Sequence, residues 1–565
     1  MSVLFPALKS MGNESVGPIF YLTARGTTRT AAENALAILR DTEPELHLRS
    51  VTLTAKDKIC LCETRECTPE ACPYANGYYA RIKGALWDVL DVPCLTAETL
   101  QEYAERHTVC PFELGLDSSL WSDVIIGDYN YLFDPVVHLV RFFESAGDYI
   151  FLVDEAHNLP GRAREMHSAA LTKTSFYEAK KLLGKGKSSL KNALTKVNDV
   201  FIEWRHRAEE ETAARDGRFG KTFFLKERSE EFDHLLNRLC EPLEAWLDDH
   251  REPDETHTAL LQLYFDVRAW LRVADTFDDH FVLQITASGS EVRAAQLCLD
   301  PSAFLADSFA LGRAAVLFSA TLAPASYYKD LCGVPEARAV ALRSPFPAGN
   351  QGLFCIGNVS TRYKDRDASL AIVAESLATM VRAHCGNYLA FFPSYAYMEQ
   401  AYAQFKEHCP EINCIKQENA MDEQQKAAFL AQFVPGPSQS LLGFAVMGGV
   451  FGEGVDLTGD RLIGVGIVGP GLPQVGPRQE QLRDYFEQTR GSGFDYAYRY
   501  PGMNKVLQAA GRVIRTPRDK GVVLLIDNRF AMPDYRRLMP PHWSHLKMIY
   551  DTEKLERELW RFWEE

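Results

Sequence analysis

The sequence predicts an α/β protein with two parallel-sheet units in tandem. Short apolar runs rich in β-branched residues recur along its 565 residues, and they alternate with helix-like stretches such as TAAENALAILR. Runs of this kind are typical of strands that are buried on both faces of a parallel sheet. The runs fall into two series, and two insertions of different composition interrupt the first series. We therefore expect two α/β units, the first of which carries both insertions.

The individual runs have the length and composition of buried strands. The first series consists of IFYLT at 19, SVTLTA at 50, DVIIGDY at 123, YIFLVDEA at 149 and AVLFSAT at 315. The second series consists of NYLAFFPS at 387, LLGFAVM at 441, RLIGVGIVG at 461 and GVVLLIDN at 521. The stretch from about 163 to 280 lacks such runs and is rich in Ala, Leu, Glu and Lys at helical spacing. It is therefore expected to form a mostly helical subdomain.

The overall composition excludes several classes of protein. The chain has 61 basic and 76 acidic side chains, a net charge of −15 and 46% apolar residues, which is ordinary for a folded protein and excludes disordered and fibrous classes. No stretch approaches the roughly 18 uninterrupted apolar residues of a membrane-spanning helix, and the first dozen residues lack the features of an export signal. We expect a cytoplasmic protein, in which any path for DNA has to be locally basic.

Two acidic residues follow a predicted central strand. Residues 153–160 read VDEAHNLP directly after YIFL, so Asp154 and Glu155 stand where open α/β sheets bind ligands. Nucleotide hydrolysis needs one carboxylate to hold hydrated Mg²⁺ and a second to orient and activate the attacking water. A strand-to-helix turn with two solvated acids would show the same pair, so the pair alone does not decide between these interpretations.

Two further motifs add to this pattern. Residues 319–322, SATL, end the run AAVLF, and residues 508–515 read QAAGRVIR. Offsets of four and seven place Gln508, Arg512 and Arg515 near one helical face. Guanidinium groups suit the charge that spreads over a transferring phosphoryl group. An ordinary helix cap and a solvated basic face are the alternative interpretations of these two motifs.

Taken together and in this order, VDEAH, SATL and QAAGRVIR resemble the motifs of a superfamily 2 helicase. Three further fragments agree with that resemblance: YLTARGTTRT at 21 is similar to the first DNA-contacting motif, FFPSYAYME at 391 to the fourth motif, and GGVFGEGVDLTGD at 448 to the fifth. The resemblance spans almost the whole chain outside the helical insertion.

Cysteines are concentrated in one segment. Six of the thirteen lie between Cys60 and Cys110, and an odd count without an export signal points to a reducing compartment and a metal site. The first four and Cys110 are separated by two, five, five and thirty-eight positions. These intervals fit the paired knuckles of a zinc site poorly, whereas an iron-sulfur cluster can take four thiolates from irregular spacing. Zinc and metal-free thiols remain alternatives.

Because these cysteines lie between the first DNA motif and DEAH, the chain resembles the XPD/DinG-type iron-sulfur helicases. The resemblance implies a 4Fe-4S cluster on Cys60, Cys67, Cys72 and Cys110, with Cys62 as a spare that could replace Cys60. It also implies two tandem RecA-like parallel-sheet domains with an iron-sulfur insertion and a helical arch insertion in the first. The expected boundaries are 1–59, 113–162 and 281–345 for the first RecA-like domain, 60–112 for the cluster domain, 163–280 for the arch and 346–565 for the second RecA-like domain.

The resemblance implies a role for each candidate residue. Asp154 would hold Mg²⁺ through water, Glu155 would activate the hydrolytic water, and Arg512 and Arg515 would meet the phosphates of ATP. His157, Gln508 and Ser319 would couple the nucleotide state to the grip on DNA, while Gly454 and Asp456, as cofactor-binding residues of the fifth motif, would line the interdomain cleft. The candidates for contact with the DNA strand are Thr23, Arg25, Arg29, Tyr129 and Tyr395.

The function implied by this resemblance is ATP-driven 5′ to 3′ movement along single-stranded DNA with separation of duplexes, in DNA repair or replication. Single-stranded DNA and forked duplexes would be the partners, and a monomer is the default state. The main alternative is a DNA-binding or scaffold protein on the same fold that does not hydrolyse ATP. A nuclease and a redox sensor are further alternatives.

The sequence departs from the family pattern at one point. A motor of this class needs a G-x-x-x-x-G-K-[ST] loop before the first DNA motif, and the chain contains none. The GKT at 220–222 has Arg215 in place of the first glycine and lies after DEAH. Residues 2–12 resemble the helix that follows such a loop. We expect poor ATP binding, either because Met1 is an internal start of a longer protein, which we favour, or because the protein is shortened.

Overall fold

The computed structural model describes the chain apart from residues 1, 13–15, 25, 44, 187, 215–219, 253, 450, 452–456 and 565. The described chain divides into two compact units. Unit 1 comprises Met1–Ser319 and Tyr328–Glu336, and unit 2 comprises Ala320–Tyr327 and Ala337–Glu565. In the part of the chain so described, no helix is both long enough and apolar enough to cross a membrane.

The strands of unit 1 are β1 (Ile19–Thr23), β2 (Ser50–Thr52), β3 (Cys94–Leu95), β4 (Val124–Asp128), β5 (Ile150–Asp154), β6 (Ala169–Thr172), β7 (Lys221–Leu225), β8 (Phe281–Ser288), β9 (Glu291–Cys298) and β10 (Ala314–Phe318). The strands of unit 2 are β11 (Gln351–Ile356), β12 (Asn387–Phe392), β13 (Asn413–Lys416), β14 (Leu441–Val446), β15 (Gly464–Val468), β16 (Gly521–Ile526) and β17 (Lys547–Ile549).

Helices connect these strands. The first half of the chain has α1 (Leu4–Met11), α2 (Gly26–Thr42), α3 (Lys56–Ile59), α4 (Tyr78–Val89), α5 (Ala97–His107), α6 (Pro111–Ser118), α7 (Asn130–Phe133), α8 (Val140–Phe143), α9 (Leu159–Met166), α10 (Lys173–Leu182), α11 (Ser189–Ala214), α12 (Glu230–Asp249) and α13 (Glu255–Asp275). The second half has α14 (Ser302–Ala310), α15 (Ala325–Leu331), α16 (Arg366–Arg382), α17 (Tyr395–His408), α18 (Glu423–Ala431), α19 (Pro477–Arg490), α20 (Tyr500–Ala510), α21 (Pro533–Arg536) and α22 (Thr552–Glu564).

Unit 1 is built on a six-stranded sheet in the order β10-β5-β1-β4-β2-β3. Its strands are parallel, and β1 pairs with both β4 and β5. Every residue of β1 is buried, because helices cover both faces of a parallel sheet. Helix α1 covers part of one face through Leu4, which packs against Ile19, Tyr21 and Leu152. The predicted parallel sheet of the first unit is therefore confirmed.

Unit 2 is built on a seven-stranded parallel sheet in the order β13-β14-β12-β15-β16-β11-β17. Its central strand β12 is buried along its whole length. Alternate side chains of β12 enter two different cores: Tyr388 and Phe392 lie in one, whereas Leu389 and Phe391 lie in the other. This alternation explains why the strand is a continuous apolar run in the sequence.

The insertion that follows β5 contains helices α10 to α13 and also two strands. Strands β6 and β7 pair with the β8–β9 hairpin in an antiparallel sheet of order β6-β9-β8-β7. This sheet shares one core with the helices, in which Trp270 is fully buried and donates a hydrogen bond to Asp233 at 2.8 Å. The subdomain formed by the insertion thus extends beyond the predicted end at residue 280, through the β8–β9 hairpin to Cys298. Its strands escaped sequence analysis because they are short or flanked by polar residues.

The cysteine segment also contributes to the main sheet. Its short strand β3 pairs with β2 in parallel, between helices α4 and α5. Arg40 on α2 stabilises this edge, since its guanidinium donates to the carbonyl oxygens of Leu48 and Pro93 and to the hydroxyl of Ser50. The segment is therefore joined to the sheet of unit 1 by backbone pairing as well as by its helices.

Candidate functional site

Four candidate residues lie together at the carboxyl ends of β5 and β10, and we call them the acidic edge: Asp154, Glu155, His157 and Ser319. Strand β10 pairs with β5 in parallel so that Phe318 is opposite Asp154. The residues that follow each strand therefore meet at the same edge of the sheet. The structure places the DEAH residues and Ser319 side by side within unit 1, as expected for open α/β sheets.

Hydrogen bonds connect the members of the acidic edge. The Ser319 hydroxyl donates to Glu155 Oε2 at 2.9 Å, and His157 Nδ1 lies 2.8 Å from the same hydroxyl oxygen. His157 Nδ1 is also 3.2 Å from Glu155 Oε2. The imidazole is almost completely buried, whereas the Glu155 carboxylate is 41% exposed. One carboxylate thus faces solvent while a buried histidine and a serine hold it in place.

Glu155 has an unusual backbone conformation. Its φ of +49° lies in the left-handed region, which residues with a side chain rarely adopt. The residue stands between the end of β5 and a short 3₁₀ turn at Ala156–Asn158. A non-glycine residue held in this region is found most often where function demands a particular side-chain direction. Here the strained turn directs the carboxylate toward Ser319.

Asp154 is held from a neighbouring strand by a tyrosine that sequence analysis did not select. The Tyr21 hydroxyl donates to Asp154 Oδ2 at 2.9 Å, and the backbone N–H of Glu155 donates to Oδ1 at 2.8 Å. Burial raises the pKa of Asp154 above its ordinary value and the charge of Glu155 raises it further, while these two hydrogen bonds oppose the shift. Burial, followed by the charge of Asp154, raises the pKa of Tyr21 strongly, so the phenol stays protonated and remains a donor. Only the pairing of β1 with β5 reveals this contact.

The candidate arginines lie beyond a helix that ends earlier than expected. Helix α20 ends at Ala510, so Gln508 is helical whereas Arg512 and Arg515 follow in non-helical chain. The expected shared helical face is therefore wrong. Gly511 has low helix propensity, and the next apolar residues, Val513 and Ile514, are buried in the core of unit 2. Gln508, Arg512 and Arg515 all belong to unit 2.

The five residues selected for contact with DNA have different surroundings. Thr23 and Tyr129 are fully buried, and the Tyr129 hydroxyl donates to the backbone carbonyl of Asp154. Arg29 is 13% exposed and lies 3.8 Å from Asp128. The Tyr395 hydroxyl accepts a hydrogen bond from Gln417 at 2.7 Å. Arg25 lies outside the described residues, as do Gly454 and Asp456 of the fifth motif.

The cysteine thiols form two groups. Cys62 Sγ lies 3.9 Å from Cys72 Sγ, and burial together with Cys72 and then Cys60 raises the pKa of Cys62 to about 11. Cys67 and Cys110 instead face the ammonium group of Lys56, where burial lowers the pKa of the lysine but Cys67, Cys110 and Glu113 together raise it by more. Among the residues that the structure describes, three or more His, Cys, Asp or Glu side chains never converge as a metal site would require. The thiol chemistry suits an iron-sulfur cluster, but the four expected ligands are not gathered at one point.

The GKT at 220–222 is not a phosphate-binding loop in the structure. Lys221 begins strand β7 and its ammonium group forms an ion pair with Glu209 at 2.8 Å. A phosphate-binding lysine instead precedes a helix and points toward the carboxyl end of a parallel sheet. Lys221 belongs to the antiparallel sheet of the insertion, where the sequence predicted helix, and the GKT is not a phosphate-binding loop, as its position after DEAH indicates.

Comparison with known proteins agrees with the fold. A family model described as Helicase C-terminal domain matches residues 377–546, and the DEAD_2 model matches residues 43–176. The XPD helicase subunit of the general transcription and DNA repair factor IIH of Schizosaccharomyces pombe is 24% identical over 540 residues, which cover 79% of this chain and 67% of that protein. The ATP-dependent DNA helicase CHL1 of Coccidioides immitis is 22% identical over 524 residues, which cover 80% of this chain and 60% of that protein.

A solved structure titled XPD_Helicase has the same fold over most of its length. It superimposes with a TM-score of 0.60 and 17% identity, covering 95% of this chain and 92% of that one. Both family models and both relatives point to one group of proteins, and the two parallel sheets and the DEAH and SATL motifs described above are found in the expected order. The chain is therefore similar in sequence and in fold to the XPD/DinG-like superfamily 2 helicases.

Proposed function

We propose that this chain is the motor of an ATP-dependent DNA helicase that moves 5′ to 3′ along single-stranded DNA and separates duplexes during DNA repair or replication. It would act as a monomer on single-stranded and forked DNA. The chain spans 67% and 60% of the lengths of the two relatives given above, and both of those proteins are named as helicases. Their activity is carried to this chain as a proposal.

The observation that carries this proposal is the acidic edge. A hydrolytic site needs one carboxylate that is held firmly for Mg²⁺ and a second, accessible carboxylate for the attacking water. Asp154 has the first character, because Tyr21 and the Glu155 N–H hold its two oxygens. Glu155 has the second, because it is partly exposed and oriented by Ser319 and His157. In the proposal, Arg512 and Arg515 bind the phosphates, while Gln508, Gly454 and Asp456 contact the nucleotide.

The proposal includes a 4Fe-4S cluster held by four of the cysteines 60, 62, 67, 72 and 110. The supporting observation is the partly exposed thiols within one short segment, two of which already lie 3.9 Å apart. When bound, such a cluster would cross-link the segment between β2 and β4 through metal–sulfur bonds. The proximity of Cys62 to Cys72 favours Cys62 as a ligand over its role as a spare.

Anaerobic purification followed by iron and sulfide analysis tests the cluster. We expect about four iron atoms for each chain, as a cubane cluster requires. Cys72→Ser should lose most of the iron, whereas Cys94→Ser, in the same segment but outside the proposed set, should retain it. Full iron content in Cys72→Ser, or zinc in place of iron in the parent, would contradict this part of the proposal.

The 565 residues contain no phosphate-binding loop, so we propose that this polypeptide binds ATP weakly. In the described sheet of unit 1, β10 is an outer strand, and its first three residues are exposed although all five are apolar.

Measurement of ATP hydrolysis tests this proposal. We expect no DNA-stimulated turnover by the 565-residue polypeptide, and turnover by a version extended with any in-frame codons upstream of Met1 that encode G-x-x-x-x-G-K-[ST]. Glu155→Gln in the active version should lower kcat by about 10²-fold or more, because the general base is lost. Robust turnover by the 565-residue polypeptide would contradict the proposal of weak ATP binding.

The second candidate function is a DNA-binding scaffold that does not hydrolyse ATP. The missing phosphate loop favours it, whereas the retained acidic edge and arginines favour the motor. If the extended polypeptide binds single-stranded DNA but does not hydrolyse ATP, the scaffold is the better description.

A further inference from the structure

A short segment of unit 2 combines exposed basic and aromatic side chains, and we call Arg362, Tyr363, Lys364 and Arg366 the basic segment. It follows β11 and ends at Arg366, the first residue of α16. Tyr363 is 87% exposed, and Arg362 and Lys364 are exposed as well. None of the motifs selected from the sequence includes these residues.

The basic segment lies at the edge of the sheet where parallel sheets bind ligands. It comes after the carboxyl end of β11, and the neighbouring strand β16 ends in register with it, Ile356 opposite Ile526. Ser394, which follows β12, lies 3.5 Å from a terminal nitrogen of Arg366. Loops from three strands of the same sheet thus meet around this arginine.

Arg366 is held in place by aromatic rings. Its guanidinium carbon lies 5.4 Å from the ring centre of Tyr363 and 5.0 Å from that of Tyr397. Tyr397 is itself fixed, because it is fully buried and its hydroxyl lies 2.5 Å from that of Ser369. A guanidinium stacked on rings keeps its N–H groups free at its rim for a planar or tetrahedral anion.

In the part of the chain that the structure describes, Arg366 forms no ion pair with a carboxylate. Its Nε is buried without a hydrogen-bond partner in the described chain, and the nearby Asp527 is already engaged by Arg529 at 2.7 Å. Burial lowers the pKa of Arg366, and the neighbouring charge of Arg529 lowers it further. An anion bound at the terminal nitrogens would supply the counter-charge that Arg366 lacks among the described residues.

The acidic residues of this segment do not neutralise its basic side chains. Asp365 accepts a hydrogen bond from Ser360 at 2.6 Å, and Asp367 is exposed. Within the described residues neither forms an ion pair with Arg362, Lys364 or Arg366. The segment therefore keeps three basic groups next to one accessible aromatic ring.

We propose that the basic segment binds single-stranded DNA, with Arg366 and Lys364 on backbone phosphates and Tyr363 stacked on a base. Single-stranded nucleic acid is the ligand class that needs this combination of cationic groups and an exposed ring without sequence-reading side chains. This inference rests on the proposed function, since it names the surface by which the motor holds its strand. It also replaces the buried Tyr129 as the aromatic contact.

Fluorescence anisotropy of labelled (dT)₂₀ with the full chain tests the inference. Tyr363→Ala should weaken binding by about tenfold, the size expected for one stacked base, while Tyr363→Phe should bind like the parent. Arg366→Gln should weaken binding by a similar factor. Lys364→Gln should lower the slope of log affinity against log salt by about one.

Trp560→Ala is the matched control. Trp560 is 49% exposed on α22, and the following Phe562 lies beside Gly352 and Lys520 at the opposite edge of the same sheet. Trp560→Ala should therefore bind (dT)₂₀ like the parent. If the parent binds (dT)₂₀ and both Tyr363→Ala and Arg366→Gln bind within twofold of it, the inference fails and the proposed function stands. If the parent itself does not bind, both fail.

Discussion

The carboxyl edges of the two parallel sheets have the same architecture and opposite chemistry. In unit 1 both carboxylates of the acidic edge are held by neighbouring side chains. Tyr21 contacts Asp154, and Ser319 and His157 contact Glu155. In unit 2, Asp527 is fully buried and bonded to Arg529 and Thr361, and Arg366 forms no ion pair with a carboxylate among the described residues. The carboxyl edge of the parallel sheet therefore carries negative charge in unit 1 and positive charge in unit 2.

Asp527 and Asp154 also differ in the direction of their pKa shifts. The hydrogen bonds from Arg529 and Thr361, with the positive charge of Arg529, outweigh burial and lower the pKa of Asp527. At Asp154, burial dominates over the hydrogen bond from Tyr21, and the pKa is raised. The ionised carboxylate of Asp527 thus stabilises the fold, whereas that of Asp154 costs stability that a bound cation would return. This difference separates Asp527, whose charge stabilises the fold, from Asp154, to which the proposed function assigns Mg²⁺.

Asp527→Asn should give the largest effect. The substitution leaves Arg529 buried without its counter-charge, and we expect a loss of about 3–5 kcal/mol in the free energy of unfolding at pH 7. Because the folded-state pKa of Asp527 is lowered, its contribution is present above the ordinary carboxyl pKa of about 3.9 and is lost as the pH falls through the folded value. Urea unfolding of parent and variant at several pH values measures this.

The control for Asp527→Asn is Asp367→Asn. Asp367 is an exposed acid in the same unit, and its loss should change stability by less than about 0.5 kcal/mol. An Asp527→Asn variant as stable as the control would remove the distinction between the two edges.

Asp154→Asn should act in the opposite direction and more weakly. The asparagine keeps an acceptor for the Glu155 N–H and removes a buried negative charge, so we expect unit 1 to become more stable by about 1 kcal/mol at pH 7. Because the folded-state pKa of Asp154 is raised, the parent gains stability as the pH falls through that value. The advantage of the variant should therefore disappear in acid.

Hydrogen exchange of the β5 amides at pH 7 and pH 4 follows this difference within unit 1. If Asp154→Asn destabilises unit 1 at pH 7, the carboxylate has a structural role like that of Asp527, and the comparison fails.

Much of the fold was predictable because buried parallel strands form continuous apolar runs in the sequence. The run IFYLT coincides with β1, and VVLLI with most of β16, since both are apolar along their whole length. Strands that are short or interrupted by polar residues, such as β6 and β7 in the insertion, carry no such signal. The early end of α20 was also missed. The helical periodicity of the sequence continues past Gly511, whereas the helix itself ends at Ala510.

The site was predictable in residue type but not in exposure. Tyr129 and Tyr363 are the same residue type beside polar neighbours, yet one is fully buried and the other is 87% exposed. Likewise, nothing in the sequence pairs Tyr21 with Asp154, which are 133 positions apart and meet only through adjacent strands. Motifs select candidate residues, whereas packing decides which side chains position them and which of them are exposed.

The outer strand β10 has a practical consequence for work with this polypeptide. Five apolar residues, AAVLF, present an unpaired row of backbone groups on one side, and Val316 is 41% exposed. Such an edge is a template for pairing with any other extended chain, including a second copy. Self-association and precipitation at high concentration would begin here, and Val316→Lys should improve recovery of dispersed protein without touching the acidic edge.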